Sequence, residues 1–425
     1  MNDSLFDVVI VGASFSGLTL AHHLPRHLRV LIVDAKPSAG ATVESTGLIT
    51  VRTRELFTSF VDIDRFITNP MTSVCVMAPG WKDVFFSHTS HPWIFQTDTR
   101  ALVRHLADTL PDNVTFRAST TYISATGSPN ASSVTLLTNN ERYDVGTRFL
   151  IGADGSRSRV AASTPGIDVN TSFLYGVEQV YLGDILLGDH PAQTIYHIWF
   201  GAFSLGYGGW LSPTTHEGKP AVRIGLAKHA RDRGDAAHLM KAFIHELHAH
   251  GHISFDEHAS PVFQFGGMIP VGGTRKHIHA GNVLVVGDAA GLCGAFAADG
   301  IKGSLVSGME SAPLIARWLE GDRGALSELR GRIDSHDQLM RYYAKQLRYR
   351  WIWDRMKRNQ TFRAMFDIIA REHTTFLNQF CDSKDKKTSL TRMVLRWQHL
   401  PFLIRYAFWI VADIVFSPRS MSRQD

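Results

Sequence analysis

A glycine-rich turn near the N-terminus has the residue types and spacing to bind phosphate. Gly12 and Gly17 in FDVVIVGASFSGLTL fit the pattern G-x-(G/S)-x-x-G, with Ser14 in place of the middle glycine. The first glycine permits a tight turn, the small middle residue lets the backbone approach a pyrophosphate, and the last lets the helix pack on the strand. Asp34 ends the next apolar run, where an acidic residue can accept hydrogen bonds from ribose hydroxyls. The segment therefore predicts a dinucleotide site, and a plain βαβ unit is the alternative.

Two later segments repeat the pattern of an apolar strand that ends in a glycine-rich turn. RFLIGADGSRSRVA (148–161) carries Asp154 just after its strand. VLVVGDAAG (283–291) carries Gly287 and Asp288 in the same position. The turn at 287–291 either binds a second nucleotide or completes the site that the first turn begins.

Taken in this order, the three motifs resemble the flavoproteins built like p-hydroxybenzoate hydroxylase, a family that includes the geranylgeranyl reductases and the flavin-dependent halogenases. The resemblance covers roughly residues 5–315. It implies one FAD, whose site is completed by the third turn (283–291), in which Asp288 accepts hydrogen bonds from the ribityl chain. The predicted cofactor-binding residues are Gly12, Ser14, Gly17, Asp34, Arg100, Asp154, Gly287, Asp288, Gly300 and Ile301.

Three of these roles come from the resemblance together with local electrostatics. The helix that begins near Gly300 and Ile301 would point its N-terminus at the pyrimidine end of the flavin, where its dipole stabilises negative charge. Arg100, in QTDTRALVRHL, matches the arginine that such proteins place beside the flavin phosphates or ribityl chain. A solvated arginine at a helix start is the alternative. Asp154 is expected to shape the turn beside the flavin, and a purely structural role is its alternative.

Two segments favour the reductase branch of this family. GDAAGLCGAFAADGIKGSLVSGMESA (287–312) is similar to the reductase pattern GDAAGxxNPxTGEGIxxAxxSGxxAA, whereas the GDAAH of aromatic hydroxylases is absent. GYGGWLSP (206–213) is similar to the reductases' Tyr-x-Trp-x-Phe-Pro segment. It would place Tyr207 and Trp210 over the flavin, with ordinary aromatic packing as the alternative.

Two departures from the reductase pattern concern the flavin surroundings. Ala295 stands where these families usually have a proline, and segment 43–56 lacks the cysteine of archaeal-type reductases. Cys293 is then a candidate to approach the site, or alternatively a small buried hydrophobic residue.

The resemblance implies an FAD-dependent oxidoreductase that reduces carbon–carbon double bonds of an isoprenoid or other lipid-like substrate. A hydride would reach one alkene carbon from reduced flavin, and a proton would reach the other from a side chain or water. The catalytic candidates are Tyr207, Trp210 and Cys293. NAD(P)H is the candidate electron donor, although no second NAD(P)H-binding fold is visible in the sequence.

Two other functions remain open on the same fold. One is an NAD(P)H- and oxygen-dependent monooxygenase of the aromatic hydroxylase type. The other is a flavin-binding lyase, isomerase or non-redox protein. A halogenase is disfavoured, because a glycine (Gly208 or Gly209) stands where its first tryptophan would be and Lys82 is the only nearby lysine.

The histidine-rich segment HELHAHGH (245–252) does not have metal-binding spacing. It departs from H-E-x-x-H, because His248 follows His245 by only three residues. It closes a predicted helix just before Gly251, where cationic side chains favour the helix dipole. We predict no metal site.

The elements that position these motifs form three regions, in an α/β fold with α+β character overall. A discontinuous Rossmann-like FAD-binding domain is predicted over residues 1–70, 95–165 and 270–330. Residues 71–94 and 166–269 are predicted to form a mostly antiparallel substrate sheet, with strands at 173–188, 193–200 and 220–227. Residues 331–425 read as a helical, basic region.

The charge of the chain is concentrated at its C-terminal end. The 425 residues carry a formal charge of +5, but residues 341–425 hold 17 Lys/Arg and 7 Asp/Glu, a balance of +10, which leaves −5 for the rest. The core is therefore not typical of nucleic-acid binding. Three scattered cysteines predict no disulfide framework, and we expect a reducing compartment, the cytoplasm.

The last strongly apolar segment is LPFLIRYAFWIVADIVFSP (400–418). Arg405 and Asp413 interrupt it, so we expect no transmembrane helix. Its basic and aromatic residues suit a helix on an anionic membrane surface, within a contact region at 341–425. A helical cap on the flavin domain or a dimer surface is the alternative, and the sequence does not set the oligomeric state.

Overall fold

A computed structural model describes residues 5–81, 84–128, 131–187, 193–198, 208–232, 234–256, 258–375 and 395–416. Lys82 and Tyr207, both named above, and Cys381, one of the three cysteines, lie outside these described residues.

The described strands are β1 (Leu5–Val11), β2 (Val30–Val33), β3 (Leu48–Thr50), β4 (Ile67–Met71), β5 (Ser73–Met77), β6 (Val84–His88), β7 (Ile94–Thr97), β8 (Val114–Arg117), β9 (Thr120–Ser128), β10 (Ala131–Thr138), β11 (Glu141–Gly152), β12 (Phe173–Leu182), β13 (Thr194–Ile198), β14 (Gly209–His216), β15 (Lys219–His229), β16 (Phe263–Pro270), β17 (His279–Ala280) and β18 (Val283–Val285). The described α-helices are α1 (Phe15–His23), α2 (Val51–Phe57), α3 (Thr99–Asp108), α4 (Arg159–Ser163), α5 (Ala236–Ala249), α6 (Gly300–Leu319), α7 (Leu329–Ser335), α8 (Leu339–Trp353), α9 (Asn359–Arg371) and α10 (Leu400–Phe416).

A largely parallel sheet carries the three glycine-rich turns. Its strands in the described part of the chain follow the order β17-β18-β11-β1-β2-β8, with β10 paired to β11 and β9 to β10. β1 pairs in parallel with β11 and β2, and β18 pairs in parallel with β11. Residues 8–11 of β1 are β-branched and fully inside the sheet, as such a run predicts. Because parallel strands end at the same edge, the turns after β1, β11 and β18 meet there.

Small residues hold the first and third turns together through the helices that follow them. A Cβ added to Gly308 on α6 would lie 2.9 Å from the carbonyl oxygen of Ser16 on α1. Glycine at this position therefore lets α6 approach α1 more closely than a larger residue would. This contact places the N-terminal end of α6 beside the turn that precedes α1.

A second sheet has the order β16-β12-β15-β14-β13-β5-β6 in the described residues. Its pairings are antiparallel except that of β5 with β13. One face packs on α5 through a cluster that includes Leu211, Ile224, Leu226 and Phe243. The other face turns toward the glycine-rich edge of the first sheet. Because successive residues of a strand alternate between faces, this second set of side chains can line a site.

The predicted strands of the second sheet lie close to those found. Prediction gave 173–188, 193–200 and 220–227, and the structure has β12, β13 and β15 at those places. A small antiparallel sheet, β3-β7-β4, joins the two regions and was not predicted. The domain boundaries given above stay a prediction.

The C-terminal helix α8 supports the loop that precedes α6. The Gln346 side-chain oxygen accepts hydrogen bonds from the backbone N–H groups of Phe296 (3.0 Å) and Ala297 (2.7 Å). Its amide nitrogen donates to Asp299 at 2.9 Å, and the Tyr343 hydroxyl donates to the carbonyl oxygen of Asp299 at 3.2 Å. The predicted helical region therefore packs on the loop that leads into α6 and fixes its backbone.

Helix α10 is attached to α9 through one buried carboxylate. Asp413 accepts hydrogen bonds from the N–H of Lys357 (2.8 Å), the N–H of Arg358 (3.3 Å) and the hydroxyl of Thr361 (2.6 Å). These donors lie at the N-terminus of α9, where a negative charge is favourable.

The segment Trp397–Phe416 has the length and composition of a membrane span. It covers 20 residues, and an 18-residue window within it has a mean hydropathy of 1.5 with 11% of that window buried. By length and composition alone the segment is apolar enough to cross a membrane despite Arg405 and Asp413, and the expectation of no transmembrane helix stays a prediction.

Candidate functional site

One cavity of about 960 Å³ lies between the glycine-rich edge of the first sheet and the open face of the second. It brings together nine of the predicted site residues, which are Gly12, Ser14, Asp34, Asp154, Trp210, Asp288, Cys293, Gly300 and Ile301. Gly17, Arg100 and Gly287 are not among the residues that line it. Tyr207 lies outside the described residues.

Neither glycine of the first turn has room for a side chain. Gly12 has φ +108°, and an added Cβ would lie 2.2 Å from the carbonyl oxygen of Ala153. A Cβ on Gly17 would lie 2.0 Å from the carbonyl oxygen of Gly12. Ser14 caps α1 with extended backbone and no side-chain bond to the helix, and the first turn of α1 has no acidic residue. The free N–H groups at this helix end suit a phosphate.

Asp34 stabilises the turn itself. Its carboxylate accepts hydrogen bonds from the backbone N–H of Ala13 at 2.7 Å and of Lys36 at 2.8 Å. The side chain thus fixes the turn that approaches a pyrophosphate, and the predicted contact with ribose hydroxyls stays a prediction.

Asp154 binds the start of a short helix. One carboxylate oxygen accepts hydrogen bonds from the N–H groups of Arg159 (2.7 Å) and Val160 (3.1 Å) at α4. The other oxygen is buried and has no partner within the described ranges. Burial raises the pKa of this carboxyl, although the hydrogen bonds oppose it. These contacts match the structural alternative, and Asp154 also lines the cavity.

Asp288 presents a buried carboxyl oxygen that lacks a hydrogen-bond donor in the described part of the chain. Burial raises the pKa of the group to about 6. A Cβ on Gly300 would lie 2.8 Å from this oxygen, so the glycine keeps the approach open. A buried carboxylate normally has partners, and this one is therefore suited to a ligand's hydroxyl groups.

The third turn completes the same site as the first. Gly287 has φ +59°, its N–H is bound by Ser307 at 3.0 Å, and an added Cβ would lie 2.9 Å from Ser16. Ser16 belongs to α1, directly after the first turn. Both turns therefore belong to one cavity.

The loop between the third turn and α6 holds two residues of interest. Cys293 is buried on the cavity wall, and burial together with the charges of Asp288 and Asp299 raises the pKa of its thiol. The thiol stays protonated at neutral pH and is a weak nucleophile. Ala295, at the position of the expected proline, is completely buried in a small apolar cluster with Leu174.

Arg100 lies to one side of the cavity. Its Nε donates to the carbonyl oxygen of Gly40 at 3.2 Å, and its guanidinium lies 5.3 Å from the ring centre of Phe263. The structure thus gives it local partners, and its predicted role beside the flavin stays a prediction.

A row of facing residues crosses the second sheet on its open side. Register pairs Phe265 with Glu178, Glu178 with Gly225, Gly225 with Trp210, and Trp210 with His197. Residues directly opposite one another share a face of the sheet. A Cβ on Gly225 would lie 2.1 Å from the indole, so Trp210 lies flat over the glycine.

Glu178 is a site residue that the sequence reasoning missed. It is 2% exposed, and its Oε2 accepts a hydrogen bond from the indole N–H of Trp210 at 3.1 Å. Burial raises the pKa of the carboxyl, while Arg223, 3.6 Å away, and the indole N–H oppose that rise. The alternation in FLYGVEQVYL could have indicated this residue. Glu178 falls on the same alternate positions as Leu174 and Val180, which are buried.

His197 and Lys302 also line the cavity and were missed. Burial lowers the pKa of His197 to about 4, so the imidazole is neutral at physiological pH. Lys302, on the first turn of α6, has its ammonium 3.2 Å from Asp337, which also binds Arg52. Nothing in the spacing of these residues distinguishes them from ordinary strand or helix positions.

The histidine-rich segment ends α5 as predicted. The helix stops at Ala249, and Gly251 has φ +66° just beyond it. Across the described ranges, no group of three or more His, Cys, Asp or Glu is placed to hold a metal ion.

Comparison with known proteins identifies the fold. A family model described as "FAD binding domain" matches residues 6–327. This chain belongs to that family. The cavity fits the cofactor, since the side-chain-free turn at Gly12 and the unpartnered oxygen of Asp288 lie on one wall. The prediction of FAD is therefore confirmed, and the roles of individual residues stay predictions.

The relatives of this FAD-binding chain include reductases and a monooxygenase. Digeranylgeranylglycerophospholipid reductase 1 of Methanothermobacter thermautotrophicus is 26% identical over 329 residues, 74% of this chain and 78% of the relative. FAD-dependent monooxygenase penM of Penicillium crustosum is 26% identical over 223 residues, 47% of this chain and 45% of the relative.

A solved structure matches the FAD-binding chain nearly from end to end. It is a geranylgeranyl bacteriochlorophyll reductase-like protein from Thermoplasma acidophilum, with a TM-score of 0.75 and 15% identity over 97% of this chain and 98% of that one. At this identity the likeness shows the fold alone. The predicted fold class, the resemblance to the geranylgeranyl reductases and the oxidoreductase class are confirmed by these matches.

Substitution of the first turn glycine tests the cofactor site. We expect Gly12→Ala to reduce bound flavin per chain at least tenfold, because the new methyl group would overlap the carbonyl of Ala153 and strain a positive φ. Gly331→Ala is the matched control, since an added Cβ on Gly331 meets nothing within 4 Å. The measurement is flavin absorbance per protein after reconstitution with excess FAD. Wild-type flavin content in Gly12→Ala would contradict the assignment.

Asp288→Asn separates the contribution of this residue to cofactor binding from its effect on stability. The folded apoprotein keeps this proton up to about pH 6, whereas the ordinary pKa is 3.8. The free energy of unfolding therefore falls as the pH rises from about 4 to about 6, by up to about 3 kcal/mol. Asparagine lacks this ionisation, so we expect the variant apoprotein to be more stable than wild type at pH 7 and similar at pH 4.

The same variant is expected to bind FAD at least tenfold more weakly, because a neutral amide replaces a charged acceptor. Urea unfolding of apoprotein at both pH values and flavin titration provide the measurements, with the exposed Glu320→Gln as the control. An unchanged pH dependence of stability would refute the stability argument, and unchanged affinity would refute the ligand role.

Proposed function

We propose that the chain is an FAD-dependent oxidoreductase that reduces carbon–carbon double bonds of an isoprenoid or other lipid-like substrate. The observation that carries this proposal is the composition of the cavity described above. The part of the cavity beside the glycine-rich turns suits a dinucleotide. Another part is lined by apolar side chains, which include Val74, Trp93, Phe296 and Trp353. An apolar chain lying there would have its reactive bond against the cofactor.

The relatives support the same substrate class. The reductase of Methanothermobacter thermautotrophicus is named for a digeranylgeranyl lipid, and its alignment covers most of both chains. A chain of repeated isoprene units is apolar throughout, which matches the wall of the cavity.

The residues of this chain have separate tasks in that reaction. FAD, when bound, supplies hydride transfer between the electron donor and the alkene. The N-terminus of α1 with Gly12 and Ser14 would hold the phosphates, and Asp288 would accept from the ribityl hydroxyls. The N-terminus of α6, at Gly300 and Ile301, would stabilise negative charge on the ring. The apolar wall would exclude water and orient the alkene.

Trp210 is proposed to form the wall over the reactive bond. Its indole is fixed by Gly225 beneath it and by the hydrogen bond to Glu178. The proton for the second alkene carbon is proposed to come from Tyr207, Cys293 or water. Cys293 keeps its proton at neutral pH, since its pKa is raised by burial. We propose NAD(P)H as the electron donor.

The alternative function is a monooxygenase that uses NAD(P)H and oxygen. The match to penM favours it, because that relative is named an FAD-dependent monooxygenase. The reductase match extends over a larger share of the chain, 74% against 47%.

We propose that the protein works in the cytoplasm and contacts a membrane surface through residues 341–425. The +10 balance of this region and the exposed, apolar α10 support that location.

The reaction is tested by mass spectrometry of lipids from cells with and without the protein. We expect products heavier by multiples of two hydrogen atoms, and Gly12→Ala, as the flavin-deficient control, to give none. Products that gain oxygen, together with oxygen uptake on addition of NADPH, would establish the monooxygenase instead. Turnover without any change in flavin absorbance would indicate a non-redox function.

Substitutions of Glu178 distinguish a positioning role from a proton-donating role. Glu178→Gln keeps an acceptor for the indole of Trp210, so a positioning role predicts product formation within about threefold of wild type. Glu178→Leu leaves the buried indole N–H unpaired, and we expect a KM raised about tenfold with kcat less affected. Steady-state rates with reduced flavin give both constants. If Glu178→Gln is as inactive as Glu178→Leu, the ionisable carboxyl itself is required.

A further inference from the structure

An apolar stripe runs along the outer face of α10. It consists of Leu400, Ile404, Phe408, Val411 and Val415, each between 54% and 65% exposed. The spacing of four, four, three and four residues puts these side chains on one side of the helix. A contiguous exposed apolar surface of this kind marks a contact with a partner or a membrane.

The opposite face of α10 is bound to the protein. Tyr406 and Ile410 pack on an apolar cluster, Asp413 makes the three hydrogen bonds at α9, and Arg405 pairs with Asp367 at 2.8 Å. A helix that crossed the bilayer would lose these contacts and carry the Asp413 carboxylate into hydrocarbon, which is costly. The contacts favour a helix that lies on the surface.

The charge of the C-terminal region indicates which kind of surface the stripe contacts. The sequence of residues 341–425 has a charge balance of +10. The guanidinium of Arg371 lies 4.1 Å from the ring centre of Phe402, and Trp397 is 88% exposed at the start of the segment. Basic side chains with an amphipathic aromatic ring are the features that bind the headgroup layer of an anionic bilayer.

Apolar side chains continue from the inner face of α10 to the cavity. Tyr406 and Ile410 pack on the cluster that contains Val76, Trp93 and Trp353. Those three residues also line the cavity. One apolar cluster therefore connects the inner face of α10 with the wall of the cavity.

We propose that the α10 stripe lies in the headgroup layer of an anionic lipid bilayer, and that a lipid substrate passes from that bilayer into the cavity past α9 and α10. The proposed bilayer contact is supported by the exposed apolar stripe, by the basic charge of the region and by the contacts that hold the opposite face of α10. The second half rests on the proposed function, since it needs a lipid substrate.

Vesicle binding tests the first half. The stripe variant is Ile404→Ser/Phe408→Ser, and the control is Val169→Ser/Leu186→Ser, which removes two exposed apolar residues elsewhere. All four side chains are exposed, so thermal midpoints should stay close to that of wild type. The probes are vesicles of phosphatidylcholine alone and of phosphatidylcholine with phosphatidylglycerol.

We expect wild type and control to sediment with the anionic vesicles, less at high salt, and the stripe variant to bind at least tenfold more weakly. Equal binding by wild type and stripe variant would overturn the proposal. The proposal would also be overturned if wild type is a dimer that does not bind vesicles and the stripe variant is a monomer. The stripe would then be the interface between two copies of the chain.

Product formation tests the second half with dithionite as the reductant. Geranylgeraniol in anionic vesicles and geraniol in solution are the two probes. We expect the stripe variant to reduce the vesicle-borne probe at least fivefold more slowly than wild type and the dissolved probe at the same rate. Equal rates from vesicles would overturn the route. If wild type reduces neither probe but still binds vesicles, the proposed function fails and the membrane contact stands.

Discussion

The contact between the turn after β1 and the turn after β11 sets the geometry on which the rest of the structure depends. Gly12 and Ala153 approach so closely that a single methyl group would overlap a backbone carbonyl. Because β1 lies between β11 and β2, this contact fixes where α1 begins and which N–H groups face the cavity. The close packing of α6 on α1 then brings Asp288 to the same wall. A cofactor site made of backbone needs this precision, since a backbone N–H cannot adjust as a side chain can.

The cofactor end of the cavity was predictable because its determinants are local. Strand, turn and helix follow one another within about 20 residues at each motif, so type and spacing specify the geometry. The two turns could be assigned to one site from the order of the motifs. The contacts of Asp34 and Asp154 with backbone N–H groups were not predictable, because the turn conformation decides which donors a carboxylate meets.

The substrate end was much less predictable, because it depends on register between distant strands. Glu178, Trp210 and Gly225 meet only because β15 lies between β12 and β14 with one particular pairing. A shift by one residue would turn the carboxyl and the indole to opposite faces. Trp210 was identified from a motif, whereas its partner carried no motif. Arg100 was predicted from a motif as a residue beside the flavin, and that role stays a prediction. Its contacts with Gly40 and Phe263 could not be predicted, because those residues are distant from it in the sequence.

The hydrogen bonds of Gln346 have a consequence for the order in which the protein becomes functional. The loop that leads into α6 has two backbone N–H groups bound by a residue 49 and 50 positions further along the chain. During synthesis, the three glycine-rich turns emerge from the ribosome before the residue that holds this loop in place. The nascent chain can fold its first sheet before this loop is held in place, so the cavity reaches its final geometry only after α8 has been made. The geometry of this part of the cavity is thereby linked to synthesis of the chain beyond Gln346.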